Sequence, residues 1–302
     1  MKEQEKKDQQ GTLPDAAAKW EAELQADLDA FQIYLRKMGI AQNTIVSYQS
    51  AVRQYYLHHP TLTIENLQAY KRYLIEHYTA NTVNAKIYGL NKYLRYRNTI
   101  QDGPDLSLDK YNVPTVKRQQ KTFADNVISN EDYKLLKDRL KEDGQLFWYF
   151  IVRFLGATGA RVSELVQIKV EHLKLGYMDL YSKGGKIRRI YFPDTLCEEG
   201  LKWLSEKQVT SGFIFLNRRG QQITPRGINS QLKKFAQQYG IDPSTIYPHS
   251  FRHLYAKNFL LKFNDISLLA DLLGHESIET TKIYLTQTST EQKALIDKII
   301  VW

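Results

Sequence analysis

Residues 272–285 read LLGHESIETTKIYL, and the reading of the chain turns on the tyrosine near the end of that stretch. His275 follows a glycine, and Tyr284 stands nine positions beyond it. Taken alone, Tyr284 is one of twenty tyrosines and reads as one more packed aromatic. A phenol ionises only near pH ~10, so a reactive Tyr284 needs neighbouring cations and proton carriers. The rest of the sequence has to supply them.

The chain has 302 residues, room for two domains with cores of their own. Forty-two Lys and Arg stand against thirty-three Asp and Glu, a net charge of +9 and a pI near 9.3. That balance favours a polyanionic partner, most simply nucleic acid, although charge by itself does not decide it. The single cysteine, Cys197 in DTLCEEG, excludes a disulfide framework, fits a cytosolic compartment and reads as a small half-buried residue. The opening MKEQEKKDQQ has no apolar segment of the signal-peptide kind, and LFWYFIV is too short to span a bilayer. These features predict a soluble, cytoplasmic protein.

Residues 1–18 are charged and poor in apolar side chains, which predicts a disordered lead-in. Over 19–100 four amphipathic runs follow, EAELQADLDAFQIYLRKMG, NTIVSYQSAVRQYYLHH, TIENLQAYKRYLIEHY and NTVNAKIYGLNKYLRYRN. Apolar residues recur at three- and four-residue steps, and Asn or Thr opens most runs as a helix cap. This predicts an all-α domain. Lys86, Lys92 and Arg95 lie among its tyrosines, a pattern suited to phosphate contact and stacking, or to a solvated face. Residues 101–122 hold two prolines and the basic cluster around Lys117 and Arg118, and read as a linker whose basic run crosses a phosphate backbone or is simply solvated. The second domain spans 123–302. Its QLFWYFIVRFLGATG is apolar nearly all round, a buried helix closed by Gly156 and Gly159. YMDLYSKGGKIRRIYFP alternates about a Gly-Gly turn, a β-hairpin, and helices return from about 195. The expected class is mainly α with a small β-sheet. The segment of about 290–302 is amphipathic, with Leu295, Ile299 and Ile300 on one face, and ends on Trp302; its apolar face would pack back on its own domain or on a neighbouring copy.

Breaking a phosphodiester without a metal takes a nucleophile, cations for the pentacoordinate phosphorus and an acid for the leaving oxygen. Scattered histidines, one cysteine and no carboxylate cluster of ligand spacing argue against a metal. Arg161 follows a glycine turn in ATGARVSEL, and His249 and Arg252 are three apart in HSFRH. Two guanidinium groups suit a bidentate phosphate clamp. Lys183 and Lys186 flank the hairpin turn, and His275 and Tyr284 complete the set.

In this order and spacing, TGARVSEL, SKGGK, HSFRH and LLGHESIETTKIYL resemble the signature of the tyrosine recombinases, the phage integrase family. The closest likeness is to simple two-domain Xer-type or transposon-encoded members. The resemblance covers the chain from about residue 20. It implies an N-terminal four-helix core-binding (SAM-like) domain and a C-terminal α+β catalytic domain. It implies that Tyr284 attacks the scissile phosphate to form a 3′-phosphotyrosine, that Arg161 and Arg252 hold the non-bridging oxygens, and that His275 hydrogen-bonds the phosphate. His249 would be the general base and Lys183 the general acid, with Lys186 the alternative. Glu164 would buttress Arg161, and His253 has only a structural role. No cofactor and no metal is implied. The implied partners are double-stranded DNA bearing an inverted-repeat core site and three further copies of the chain, joined by exchange of the tail. A prokaryotic, nucleoid-associated location goes with them. No arm-binding domain is expected before the first helix. Two other readings remain at this stage. One is a type IB topoisomerase that relaxes supercoils, the other a DNA-binding protein without catalysis.

Overall fold

The computed structural model describes residues 13–100, 112–117, 126–181, 187–275 and 277–285, with 293, 296 and 297; the chain divides between Gln120 and Lys121 into two compact units. The described residues are mainly helical with one two-stranded sheet. None of their helices is long and apolar enough to cross a membrane.

In the first unit, helices α1 (Leu13–Lys37), α2 (Gln42–His58), α3 (Ile64–His77) and α4 (Ala80–Ile100) follow one another. Helix α1 starts at Leu13, inside the stretch 1–18 expected to be a disordered lead-in. Three alanines at 16–18 are strong helix formers, and Pro14 in the first turn gives up no helical hydrogen bond. Charge alone therefore misjudged residues 13–18; residues 1–12 lie outside the described residues. Thr63 caps α3 as expected, accepting from the Asn66 amide at 3.1 Å. Asn43 and Asn81, expected as caps, lie inside their helices instead. Ala41 holds the extended cap position of α2, and the Thr79 carbonyl takes the Val83 amide ahead of α4.

Much of the tyrosine content of this unit is packing. Tyr93 is buried edge-on to Phe31, with ring centroids 5.2 Å apart, and hydrogen-bonds Asp27, which also pairs with Arg97 at 3.3 Å. Helices α2 and α4 approach closely at Gly89, where a Cβ would lie 3.0 Å from the Tyr48 Cα.

Part of the expected linker belongs to this unit. Asn91 donates to the Val113 carbonyl at 3.0 Å and accepts the Val113 amide at 2.8 Å. Asn84, two helical turns away, does the same with Val116, at 3.0 and 2.8 Å. Two side-chain amides thus stand in for a neighbouring strand and pair the backbone of an extended segment whose Val113 is buried. Asn91→Ala breaks both bonds to Val113 and leaves a buried amide unpaired, an expected cost of about 2–4 kcal/mol. Urea unfolding of the full chain checks this. A lowered midpoint of the first transition at constant slope is expected, and a change under ~0.5 kcal/mol contradicts the clamp.

The second unit is built around α6 (Leu146–Thr158), preceded by α5 (Asn130–Glu142), which Ser129 caps through the Asp132 amide at 2.9 Å. Tyr149 to Val152, Phe154 and Leu155 are all buried, so α6 is enclosed on every side as its composition predicts. Gly159 ends it in the left-handed region at φ 61°. Gly156 is inside the helix, not at its end, and faces the Tyr133 ring, 2.6 Å from where a Cβ would sit. Short helices α7 (Val162–Leu165) and α8 (Val170–Leu175) lead to strands β1 (Tyr177–Tyr181) and β2 (Ile187–Tyr191), antiparallel with Leu180 opposite Arg188. Five helices follow: α9 (Asp194–Glu206), α10 (Pro225–Gln238), α11 (Pro248–Phe263), α12 (Ile266–Leu273) and α13 (Ile278–Lys282), with a 3-10 turn at Ile283–Leu285. Helix α11 packs on α6, and the 3-10 turn packs on α11. Lys183 and Lys186, which fall between β1 and β2 in sequence, lie outside the described residues, as does Arg118. So does most of the tail expected at 290–302, apart from Lys293, Ile296 and Asp297.

Candidate active site

The site grows from two chain reversals, each made by a glycine in the left-handed conformation. At the first, Gly159 turns the chain out of α6 and Arg161 takes the cap position of α7. The Arg161 amide and guanidinium both donate to Glu164, at 2.7 and 2.8 Å. Glu164 therefore caps the helix and fixes the arginine with one carboxylate, the buttress expected from the sequence. Arg188 on β2 donates to the same Glu164 oxygen at 2.7 Å. Burial of Glu164 opposes its ionisation, but Arg188 and the two groups of Arg161 outweigh it and hold the carboxyl below its usual range. The Arg161 side chain stays 45% exposed while Glu164 is at 10%, so the guanidinium is anchored at one edge and open at the other.

At the second reversal, Gly274 ends α12 at φ 63° and delivers His275. Arg252 on α11 ties the two reversals together. Only 1% of it is exposed. It donates to the Gly159 carbonyl at 2.8 Å and the Leu273 carbonyl at 2.6 Å, and meets His275 Nε2 at 3.0 Å. Since the guanidinium can only donate, His275 Nε2 accepts, and Nδ1 carries the proton that it gives to Thr281 Oγ1 at 2.8 Å. The Arg252 Nε is buried without a hydrogen-bond partner.

Tyr284 sits in the 3-10 turn, 6% exposed, with its hydroxyl in electrostatic reach of the Arg252 guanidinium. Its ring stacks on His275 at 5.8 Å between centroids, and His253 meets it edge-on at 4.8 Å. His249 is one ring further out, edge-on to His253 at 4.8 Å and exposed to solvent. The structure thus brings Arg161, Arg252, His275 and Tyr284 into one site, with His249 at its margin. Lys86, Lys92, Arg95 and Lys117 belong to the other unit. Among the described residues no group of histidine, cysteine and acidic side chains could hold a metal ion.

Burial, then the nearby His249 and Arg252, push His253 down to about 4, and burial followed by Arg252 and Arg161 does the same for His275. Both rings are neutral at pH 7. Between the ordinary histidine value of about 6.5 and about 4, the unfolded chain binds protons that the folded chain refuses. Their contribution to stability is complete above the unfolded value and is lost as pH falls through that window. The melting temperature of the full chain is expected to drop from pH 6.5 toward pH 4, more steeply than in His253→Gln. Equal slopes for the two proteins contradict the assignment.

The comparisons with known proteins now have a geometry to meet. The phage integrase family profile matches residues 126–291, more than half of the chain. This chain belongs to the phage integrase family. Among relatives, the tyrosine recombinase XerA of Pyrococcus furiosus is 27% identical over 282 residues, covering 90% of this chain and 93% of the relative. The tyrosine recombinase XerD of Vibrio cholerae is 30% identical over 281 residues, covering 84% and 88%. Of solved structures, the Tn1549 transposon integrase in complex with transposon right end DNA is similar in fold, with a TM-score of 0.65 at 14% identity over 90% of this chain and 99% of that one. A lambda integrase dimer bound to a COC' core site also has a TM-score of 0.65, at 18% identity over 86% and 94%.

As a family member the chain is an enzyme of the DNA recombinase class, a tyrosine recombinase. Against that class its site holds three residues that sequence reasoning missed or left idle. Arg188 carries a signal that was available: in IRRIY it alternates with Ile190 onto the covered face of β2, where a lone charge is rare. His253 shares a helix face with His249 at four-residue spacing, but only the folded position of Tyr284 shows that His253 is the ring it packs on. Thr281, fully buried, fixes the His275 ring and had no sequence signal beyond being one hydroxyl among many.

Proposed function

We propose that this recombinase cleaves and rejoins double-stranded DNA at a specific site through a 3′-phosphotyrosine on Tyr284. The observation that carries the reading is the convergence of Tyr284, His275 and Arg252 on one another, with Arg161 fixed by Glu164 in the same unit. Tyr284 Oη bonds to phosphorus as the bond to the 5′-oxygen breaks. The phenol proton passes to His249 by way of His253, the ring that packs on both. The leaving 5′-oxygen takes a proton from Lys183, with Lys186 as the alternative donor. Arg161 and the unpartnered Nε–H of Arg252 meet the non-bridging oxygens, where charge builds in the transition state, and His275 joins them once its proton shifts from Nδ1 to Nε2, the Thr281 hydroxyl then donating to Nδ1. A 5′-hydroxyl from a second duplex reverses the step, so the phosphodiester's energy is kept and neither a nucleotide cofactor nor a metal is needed.

On the first unit, Tyr88, Lys92 and Arg95 lie at four- and three-residue steps along α4, with Tyr88 and Arg95 exposed. That stripe, with Lys86, Lys117 and Arg118, is the face we assign to the DNA backbone. The structures of the Tn1549 and lambda integrases are complexes with DNA, which supports a DNA-binding role here. The assembly we propose is a tetramer on an inverted-repeat site, joined by the 290–302 segment, inside a prokaryotic cytoplasm at the nucleoid. Deleting 290–302 is expected to abolish synapsis and strand exchange while single-site DNA binding stays within about threefold. Unchanged exchange removes the tail from the account.

The test uses duplexes recovered by selecting the protein's tightest binders from a randomised double-stranded library. Incubated with EDTA, two such duplexes should exchange strands. Relaxation of a supercoiled plasmid lacking the site, without exchange, would favour a topoisomerase. Tight binding with neither reaction would favour a binding protein.

A further inference from the structure

Arg188 has no part in the reaction just described, yet it is the most enclosed cation near it after Arg252. Its side chain is 11% exposed and spans two elements. Nε donates to the Leu272 carbonyl at 2.9 Å, one residue before the carbonyl that Arg252 takes. Nη1 donates to Glu164 at 2.7 Å, on the oxygen that also holds Arg161. The remaining Nη2 is buried without a partner. Gly274 is shaped around this side chain as well: a Cβ there would come within 2.2 Å of the Arg188 Cδ. The lack of a side chain at the second reversal therefore accommodates β2.

Stability alone is a poor reason to bury this arginine. Apolar residues of similar volume usually replace buried ion pairs at little or no cost. What an apolar residue cannot do is hold a carboxylate and a carbonyl at once in one rigid plane.

We propose that Arg188 is a positioning residue for DNA cleavage, holding Glu164 and the Leu272 carbonyl together so that the Arg161 guanidinium and the His275 turn keep a fixed separation. This rests on the recombinase reading above. Arg161 reaches the phosphate from the first reversal, His275 from the second, and Arg252 from α11 between them. Arg252 links the reversals through Gly159 and Leu273 at the buried side. Arg188 links them again through Glu164 and Leu272. One link leaves a hinge, whereas two set the opening of the clamp. A displacement of about an ångström at such a clamp lowers rates by roughly 100-fold.

The experiment compares wild type, Arg188→Met and Arg188→Lys as full chains, on the library-selected duplex nicked at successive positions across its centre. Cleavage in a single turnover, DNA affinity and melting temperature are measured for each. Cleavage is then repeated with a methylphosphonate at the scissile position, which removes one negative charge that the clamp has to hold. Both variants are expected to bind DNA within about threefold of wild type and to melt within a few degrees of it. Both should cleave the ordinary duplex at least ~10-fold more slowly. The deficit should shrink to under about threefold on the methylphosphonate, which a general weakening of the fold would not produce. Variants that cleave as fast as wild type overturn the proposal. So does an equal deficit on both duplexes, and so does loss of fold in both variants, which would make Arg188 purely structural. A wild type that cleaves neither duplex contradicts the recombinase reading itself, a different result from a wild type that reacts beside unimpaired variants.

Discussion

Tyr284→Phe is expected to bind the selected duplex as wild type does and to form no covalent adduct with it. Phenylalanine keeps the ring between His253 and His275 and removes one oxygen. The packing of the 3-10 turn on α11 does not depend on that oxygen. Loss of the group that bonds to phosphorus is not a matter of degree: the expected effect is disappearance of the adduct, a fall of at least ~10,000-fold, of the size seen when a nucleophile is removed. Denaturing gels of protein trapped on a nicked duplex read it directly. Affinity within about threefold of wild type shows that the site still forms. An adduct that persists in Tyr284→Phe contradicts the account, because some other residue would then be the nucleophile.

The second large effect is expected at Arg252→Lys. The charge stays, but a lysine cannot serve the Gly159 and Leu273 carbonyls and His275 together. The carbonyl bonds join the ends of α6 and α12, so the mutation affects the fold and the chemistry alike. A stability loss of about 2 kcal/mol is expected from the unmatched buried carbonyls. Cleavage should fall by about 100- to 1,000-fold, as when a preorganised donor to a developing oxyanion is removed. The two effects separate in practice. Measured at a temperature where the variant is fully folded, the rate deficit should remain. A variant that cleaves within about threefold of wild type would mean that the buried guanidinium serves the scaffold alone.

Much of this site could be read before folding. A glycine turn, an arginine and a glutamate three residues later foretell the Arg161–Glu164 pair, because helix spacing alone brings them together. The apolar circumference of α6 and the alternation about the Gly-Gly turn gave the right elements for the same local reason. What stayed hidden depends on distant pairings. Asn84 and Asn91 look like polar residues on a helix until segment 112–117 arrives to be clamped. Alternation puts Arg188 on the covered face of β2 and leaves Arg189 outside with Asp179 at 2.7 Å, but the partners of Arg188, Glu164 and the Leu272 carbonyl, lie too far off in sequence to be read. Helical spacing places His249 and His253 on one face of α11 but cannot say which of them the returning chain will meet. That is settled by Gly274, Thr281 and the short helix α13, which fold Tyr284 back over His253.

The central claim is that the Tyr284 oxygen takes the phosphate of a broken DNA strand. It is tested most directly by digesting the trapped adduct with protease and nuclease and sequencing the modified peptide by mass spectrometry. The account predicts a peptide containing Tyr284 with a nucleotide joined through its 3′-phosphate, and a free 5′-hydroxyl on the released strand. A nucleotide on any other side chain, or one joined through its 5′-phosphate, would contradict it.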